Sequence, residues 1–167
     1  RHIEAAESPP TLTALAQRAG LSPFHLHRIF KAATGVTPKQ YADAHRSRRL
    51  RASLGRAERV TDAIYNAGFN SSGRFYDQAP ALLGMTPSRY RAGGERIRIR
   101  FAIGQCSLGA ILVAASERGI CAIALGDDPD ALARDLQDRF PRAELIGGDA
   151  EFERMVARVV GLVEAPA

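Results

Sequence analysis

Two stretches of this chain, GVTPKQY at 35–41 and GMTPSRY at 84–90, repeat one local instruction 49 residues apart. Each begins with a Gly able to close a helix in the left-handed conformation. Thr-Pro then restarts the chain, Thr as N-cap and Pro as the first helical residue. Gln40 gives the first copy a capping box; the second has Arg89 at that position and lacks one. The repeat is longer than the heptad. AGLSPFHLHRIFKAATGVTPKQY (19–41) and AGFNSSGRFYDQAPALLGMTPSRY (67–90) share Ala-Gly-apolar at one end and Gly-apolar-Thr-Pro-x-x-Tyr at the other. Each Ala-Gly follows a short segment of helical period, with Leu12, Leu15, Ala16 and Ala19 in one case and Val60, Ala63, Ile64 and Ala67 in the other. Both units read as helix, Gly turn, helix.

Between them, PKQYADAHRSRRLRASLG (38–55) contains no Gly or Pro after Pro38 until its last residue and reads as one connecting helix about 25 Å long. Tyr41, Ala44, Leu50 and Leu54 mark its apolar side, while His45, Arg46, Arg48, Arg49 and Arg51 occupy the rest. Such a basic helix is read either as a solvated face or as part of a nucleic-acid interface. In the first unit Leu26, Ile29 and Phe30 are expected to point inward. In the second, Pro80 is expected to bend or break the helix, because it lacks the N–H that the ladder needs.

The 167 residues have room for one or two small domains. A composition of 46% apolar and 25% charged residues is that of a globular protein, and no apolar run is long enough for a membrane span. The charge is unevenly placed: 14 basic and 6 acidic residues precede Gly94, and 9 basic and 12 acidic follow it. A first domain at +8 beside a second at −3 points to a polyanion as the partner of the first. Cys106 and Cys121 have neither CxxC nor Cys/His spacing, so neither a disulfide framework nor a zinc site is expected, and a reducing cytoplasm is the expected location. The opening RHIEAAESPP has no signal-peptide pattern, and starting on Arg1 it is expected to be a cut end.

After YRAGGERIR the pattern changes, with Gly93-Gly94 read as a linker. IRIRFAI (97–103), GAILVAAS (109–116) and GICAIALG (119–126) predict a three-stranded antiparallel meander. Asp128-Pro129 opens a helix with Leu132, Leu136 and Phe140 on one side. Phe152, Met155, Val156, Val159, Val160 and Val163 mark a second. The fold expected is therefore multidomain: an all-α double helix-turn-helix over 1–93, then an α/β domain over 94–167 with three antiparallel strands and helices.

A helix-turn-helix places its second helix in the DNA major groove, where base edges can be read. The groove-facing candidates in the first such helix are Phe24, His25, His27, Arg28 and Lys31, the residues left over by its apolar side. Arg28 has the geometry for guanine, and Lys31 suits a phosphate. In the second helix Ser71 fits an N-cap, with Ser72, Gly73, Arg74 and Asp77 nearer the groove. Two units in a basic domain joined by a stiff helix would hold two readers about one DNA turn apart, so that a monomer does what paired subunits do elsewhere. Acidic residues at 127, 128, 130, 135 and 138 cluster at a helix start and along its exposed side, so capping and solvation account for them better than a two-metal centre. Cys121 in mid-strand reads as a small buried hydrophobe and Cys106 as a strand-edge residue, so no catalytic residue is assigned.

SSGRFY, ALLGMTPSRYRAGGE, the Cys106-Ser107-Leu108-Gly109 step and SERGICAIALGDD carry a family resemblance. The duplicated units resemble the AraC-type DNA-binding domain. Residues 97–163 resemble the amino-terminal, ribonuclease-H-like part of O6-alkylguanine-DNA alkyltransferases, and the two in this order resemble Ada-type adaptive-response proteins. The resemblance implies a sequence-specific transcription regulator of the response to DNA alkylation, with double-stranded promoter DNA as partner, Tyr76 among the contacts and RNA polymerase as an additional partner. It also implies a methyltransferase in the parent protein. Pro-Cys-His-Arg, which carries the family's acceptor cysteine, does not occur in these residues, and this chain is expected to be inactive in transfer. No cofactor is expected here, the family's zinc being held by a separate amino-terminal domain. Two alternatives stay open: an intact small regulator whose second domain binds an effector or partner, and an alkyltransferase acting through Cys106 or Cys121.

Overall fold

A computed structural model describes residues 2–6, 9–69 and 72–164. The chain divides into two compact units at the Ser72/Gly73 step. The first unit is helical: α1 (His2–Ala5), α2 (Leu12–Ala19), α3 (Pro23–Thr34), α4 (Pro38–Leu54) and α5 (Val60–Asn66). Its punctuation follows the sequence closely. Thr11, Ser22 and Thr37 accept hydrogen bonds from backbone N–H groups three residues on, and Gly20 and Gly35 close α2 and α3 in the left-handed conformation. The capping box forms in full, the Gln40 N–H donating to Thr37 Oγ1 at 3.2 Å and the Thr37 N–H to Gln40 Oε1 at 2.8 Å. Helix α4 runs unbroken for 17 residues, as its lack of breakers predicts.

Helix α4 differs in which residues it turns inward. Ala42, Ser47, Leu50 and Leu54 are buried, whereas Ala44 is exposed. Its basic residues are not a uniform solvated face either. Arg49 donates to the carbonyls of Ala6 at 3.0 Å and Asn66 at 2.7 Å. Arg46 pairs with Asp43 at 2.9 Å and lies over the Phe69 ring, 4.3 Å from its centroid. Both spend their charge inside the unit: guanidinium groups answer backbone carbonyls and an aromatic face that water would otherwise have to reach. Arg48 is exposed.

The second unit begins with α6 (Ser72–Leu83) and α7 (Pro87–Arg91) and continues with β1 (Arg98–Cys106), β2 (Gly109–Ser116), β3 (Gly119–Gly126), α8 (Pro129–Arg139), β4 (Glu144–Gly147) and α9 (Ala150–Glu164). Helix α6 continues through Pro80 without a break, contrary to the expectation from sequence. Pro80 is its ninth residue, so the missing N–H affects only the final turn, and Phe75, Ala79 and Leu83 stay on one fully buried stripe. The Pro80 carbonyl still accepts the Gly84 N–H at 2.9 Å.

The sheet has four strands in the order β3-β2-β1-β4, not three. The meander is present, β1 antiparallel to β2 and β2 to β3, but β4 adds to the other edge parallel to β1, with Ile99 opposite Leu145. A four-residue strand is too short to display a period. Strand β2 is buried from Ala110 to Ala115, as a central strand covered on both faces must be. On one face Ile111, Val113 and Ala115 pack with Phe152 and Val156 of α9; α8 covers β2 and β3 on the other.

Gly93 and Gly94 do not behave as a linker. They form a tight turn packed against the chain after α8: the Arg142 N–H donates to the Gly93 carbonyl at 3.0 Å, and Tyr90 meets Phe140 edge to face at 5.2 Å. A Cβ at Gly94 would lie 2.9 Å from that of Ala143, so the closeness of approach requires glycine there.

Candidate nucleic-acid interface

Helix α3 is held at both ends and only lightly along its length. Ser22 caps its start and Gly35 its end, yet none of its 12 residues is fully buried. Leu26 and Phe30 are half-buried, and Phe30 stacks edge to face on Tyr41 at 5.7 Å. Ile29, expected inward, is 40% exposed: it follows Leu26 by three residues but lies on the rim of the apolar stripe that Leu26 and Phe30 centre. The Tyr41 hydroxyl in turn donates to Glu4 at 2.6 Å, a bond that holds the Glu4 carboxyl below its ordinary value and raises Tyr41 above its own. Packing against α2, the aromatic stack on Tyr41 and two caps thus present α3 on the surface.

On the opposite side, Phe24, His27, Arg28 and Lys31 succeed one another at steps of three, one and three residues and so share one side of the helix. All four are exposed, Phe24 at 77%. Among the described residues neither Arg28 nor Lys31 has an ion-pair partner. His25 stands apart from this group; it is half-buried, near the cap, where its N–H donates to Ser22 Oγ at 3.2 Å. The structure therefore brings together four of the five residues assigned to the first reading helix.

The second reading helix, α6, is different. Ser71 lies outside the described residues, as do the side chains at positions 72 and 74, whose backbones open the helix. Tyr76 is 46% exposed and stacks on the buried Phe75 at 5.6 Å. Gly73, Asp77 and Gln78 are exposed, and Asp77 is the only charged side chain among those described in α6.

The two thiols are not placed as methyl acceptors. Cys121 is fully buried, and Cys106 donates to the Gly109 carbonyl at 3.2 Å. A nucleophilic thiolate needs an adjacent base or cation, and the Cys106 thiol instead faces an acceptor. Asp128 is a helix cap, accepting the Asp130 N–H at 2.9 Å, and no cluster of potential metal ligands occurs among the described residues. No described helix is long and apolar enough to cross a membrane. Sequence reasoning missed Arg46, Arg49 and Glu4 as parts of the scaffold behind α3, because their partners are an aromatic ring, two carbonyls and a hydroxyl distant in sequence.

Two family models match the chain, a helix-turn-helix domain over residues 15–93 and the ribonuclease-like domain of 6-O-methylguanine DNA methyltransferase over residues 99–152. The chain is thus similar to a helix-turn-helix domain in its first part and to the ribonuclease-like domain of a methyltransferase in its second. The bifunctional transcriptional activator/DNA repair enzyme Ada of Escherichia coli strain K12 is 51% identical over 92% of this chain, and the regulatory protein ada of Salmonella typhimurium is 48% identical over 94%. The chain is Ada-like, and it spans 44% of the length of each of these curated relatives. The melibiose operon regulatory protein of Escherichia coli is 33% identical over 54% of this chain and 30% of its own length. A solved AraC-type transcriptional regulator from Chromobacterium violaceum shares 27% identity over 57% of this chain and 87% of that one, at a TM-score of 0.49.

Proposed function

We propose that this chain is the sequence-specific DNA-binding part of a transcription regulator of the adaptive response to DNA alkylation, within a bifunctional O6-methylguanine-DNA methyltransferase and regulator. The observation that carries this reading is the exposed side of α3, where Phe24, His27, Arg28 and Lys31 stand together with no ion-pair partner for either strong cation among the described residues. Arg28 reads a guanine edge and Lys31 meets phosphate, with Phe24, His25 and His27 beside them at the groove. Helix α6, with Ser71, Ser72, Arg74 and Tyr76, is the second reader. Double-stranded promoter DNA is the partner, RNA polymerase an additional one, and the chain acts as a cytoplasmic monomer. By sequence relationship the domains run over 1–93 and 94–167, although the compact units of the fold meet at Ser72/Gly73; zinc belongs to a part of the parent protein outside these residues, and no cofactor is bound here.

Selection from a random duplex pool tests this directly. A recurrent motif is expected, and enrichment without any motif would overturn the reading. On that motif Arg28→Ala costs roughly 1 to 3 kcal/mol, and much less on scrambled DNA. Equal losses on both duplexes would reassign Arg28 to a phosphate.

The same placement of thiols sets the chemistry of these residues. Incubation with duplex DNA carrying O6-methylguanine leaves the mass of the chain unchanged. A stoichiometric gain of one methyl group on Cys106 or Cys121 would make the chain an alkyltransferase in its own right.

A further inference from the structure

The sheet-bearing unit has a concentration of positive charge of its own. Arg89 and Arg91 flank the buried Tyr90 on α7, Arg96 follows the Gly93-Gly94 turn, and Arg142 follows Pro141; all four are exposed. Backbone hydrogen bonds fasten these segments together. The Gly94 N–H donates to the Arg89 carbonyl at 2.8 Å, the Arg142 N–H to Gly93 at 3.0 Å and the Glu144 N–H to Ile97 at 2.9 Å. The arginines therefore emerge from one stitched seam rather than from separate loops. Among non-glycine described residues, Arg96 is the only one with positive φ, at 58°, a conformation that costs an L-residue energy.

The seam is electrostatically distinct from what surrounds it. Residues 89–98 and 140–144 hold five arginines against two glutamates, one of which, Glu144, is occupied by Arg98 at 3.1 Å. The rest of the chain from 99 onward holds 6 basic and 10 acidic residues. Among the described residues, none of Arg89, Arg91, Arg96 and Arg142 has an ion-pair partner. Four fixed arginines with no internal counter-ion, in an otherwise acidic region, form a surface that suits a polyanion. The same unit contains α6, whose described side chains supply Asp77 and no cation.

We propose that the Arg89–Arg91–Arg96–Arg142 ridge is a phosphate-contacting surface of the sheet-bearing unit, so that this unit holds DNA through its backbone. The proposal rests on the DNA-binding reading above. The ridge supplies attachment without sequence information: its guanidinium groups meet backbone phosphates rather than base edges. It follows α6 in the chain, after the Gly84–Thr86 turn and at the end of α7.

The test is the salt dependence of binding by the full 167-residue chain to a long mixed-sequence duplex. Each phosphate contact contributes about 0.9 to the slope of log affinity against log salt. Replacing the four arginines by Gln is expected to make the slope shallower by about 2 to 4. Restoring charge with Lys at the same positions is expected to recover most of it, which separates a charge effect from misfolding. An unchanged slope in the Gln variant, with a steep slope in the unmodified chain, would overturn the ridge while leaving α3 as reader. Failure of the unmodified chain to bind duplex DNA at all would instead overturn the DNA-binding reading, and the ridge with it.

Discussion

Gly84→Ala destabilises the sheet-bearing unit by about 2 to 5 kcal/mol in chemical denaturation, the sum of a left-handed backbone penalty and an overpacking penalty. Gly84 sits at φ 68°, where a Cβ would stand 2.6 Å from the Gly119 carbonyl oxygen and 2.6 Å from Cys121 Sγ. The first of these is backbone of the β2–β3 hairpin and cannot swing away as a side-chain tip can. Gly20→Ala is the matched control. It has nearly the same φ of 66° but nothing within 4 Å of the added methyl, so only the conformational penalty of about 1 to 2 kcal/mol is expected. Equal costs at the two positions would show that the Gly84 contact with the hairpin does not exist in solution. The contact matters because the Ser116 hydroxyl donates to the Gly84 carbonyl, so the residue ending α6 is fastened to the sheet by a hydrogen bond as well as by close approach.

Phe140→Ala is expected to cost about 3 to 5 kcal/mol, the range for deleting a buried aromatic side chain and leaving a void. Phe140 is 1% exposed, stacks on Tyr90 of α7 at 5.2 Å and lies within 3.4 Å of where a Gly94 Cβ would be. Its ring joins the helical end of the unit to the sheet end, so the loss is shared by both. Phe140→Leu retains most of the volume and is expected to lose less than half as much. A cost under about 1 kcal/mol for Phe140→Ala would mean that the turn at Gly93-Gly94 is the loose joint its sequence resembles.

That turn shows where sequence reading stops. Two adjacent glycines look alike whether they serve freedom or closeness, and only Pro141 and Ala143, nearly fifty residues later, decide between the two. Local signals were legible because their physics is local: Thr37 with Gln40, Ser22, Gly35 and Asp128 act on atoms two to four residues away, and each acts as its residue type requires. The reading side of α3 was also legible, since removing Leu26 and Phe30 from the helix leaves Phe24, His27, Arg28 and Lys31 together. The roles of the α4 arginines were not. A run of basic residues carries no mark of whether its charges meet solvent, phosphate or, as for Arg49, the carbonyls of Ala6 and Asn66. Pro80 misled for a different reason: its cost depends on how many turns follow it, and here there is less than one.

The central claim is that α3 reads sequence in DNA, and the most direct measurement is the affinity of the unmodified chain for its selected duplex and for a scrambled duplex of equal length, each titrated across salt. Phosphate contacts respond to salt on both duplexes, whereas base contacts separate the two at every salt. If α3 reads sequence, the salt slopes are parallel and the selected duplex is bound at least tenfold more tightly throughout, a gap of about 1.4 kcal/mol or more. Superimposed curves would contradict it, leaving a basic surface that holds DNA without reading it.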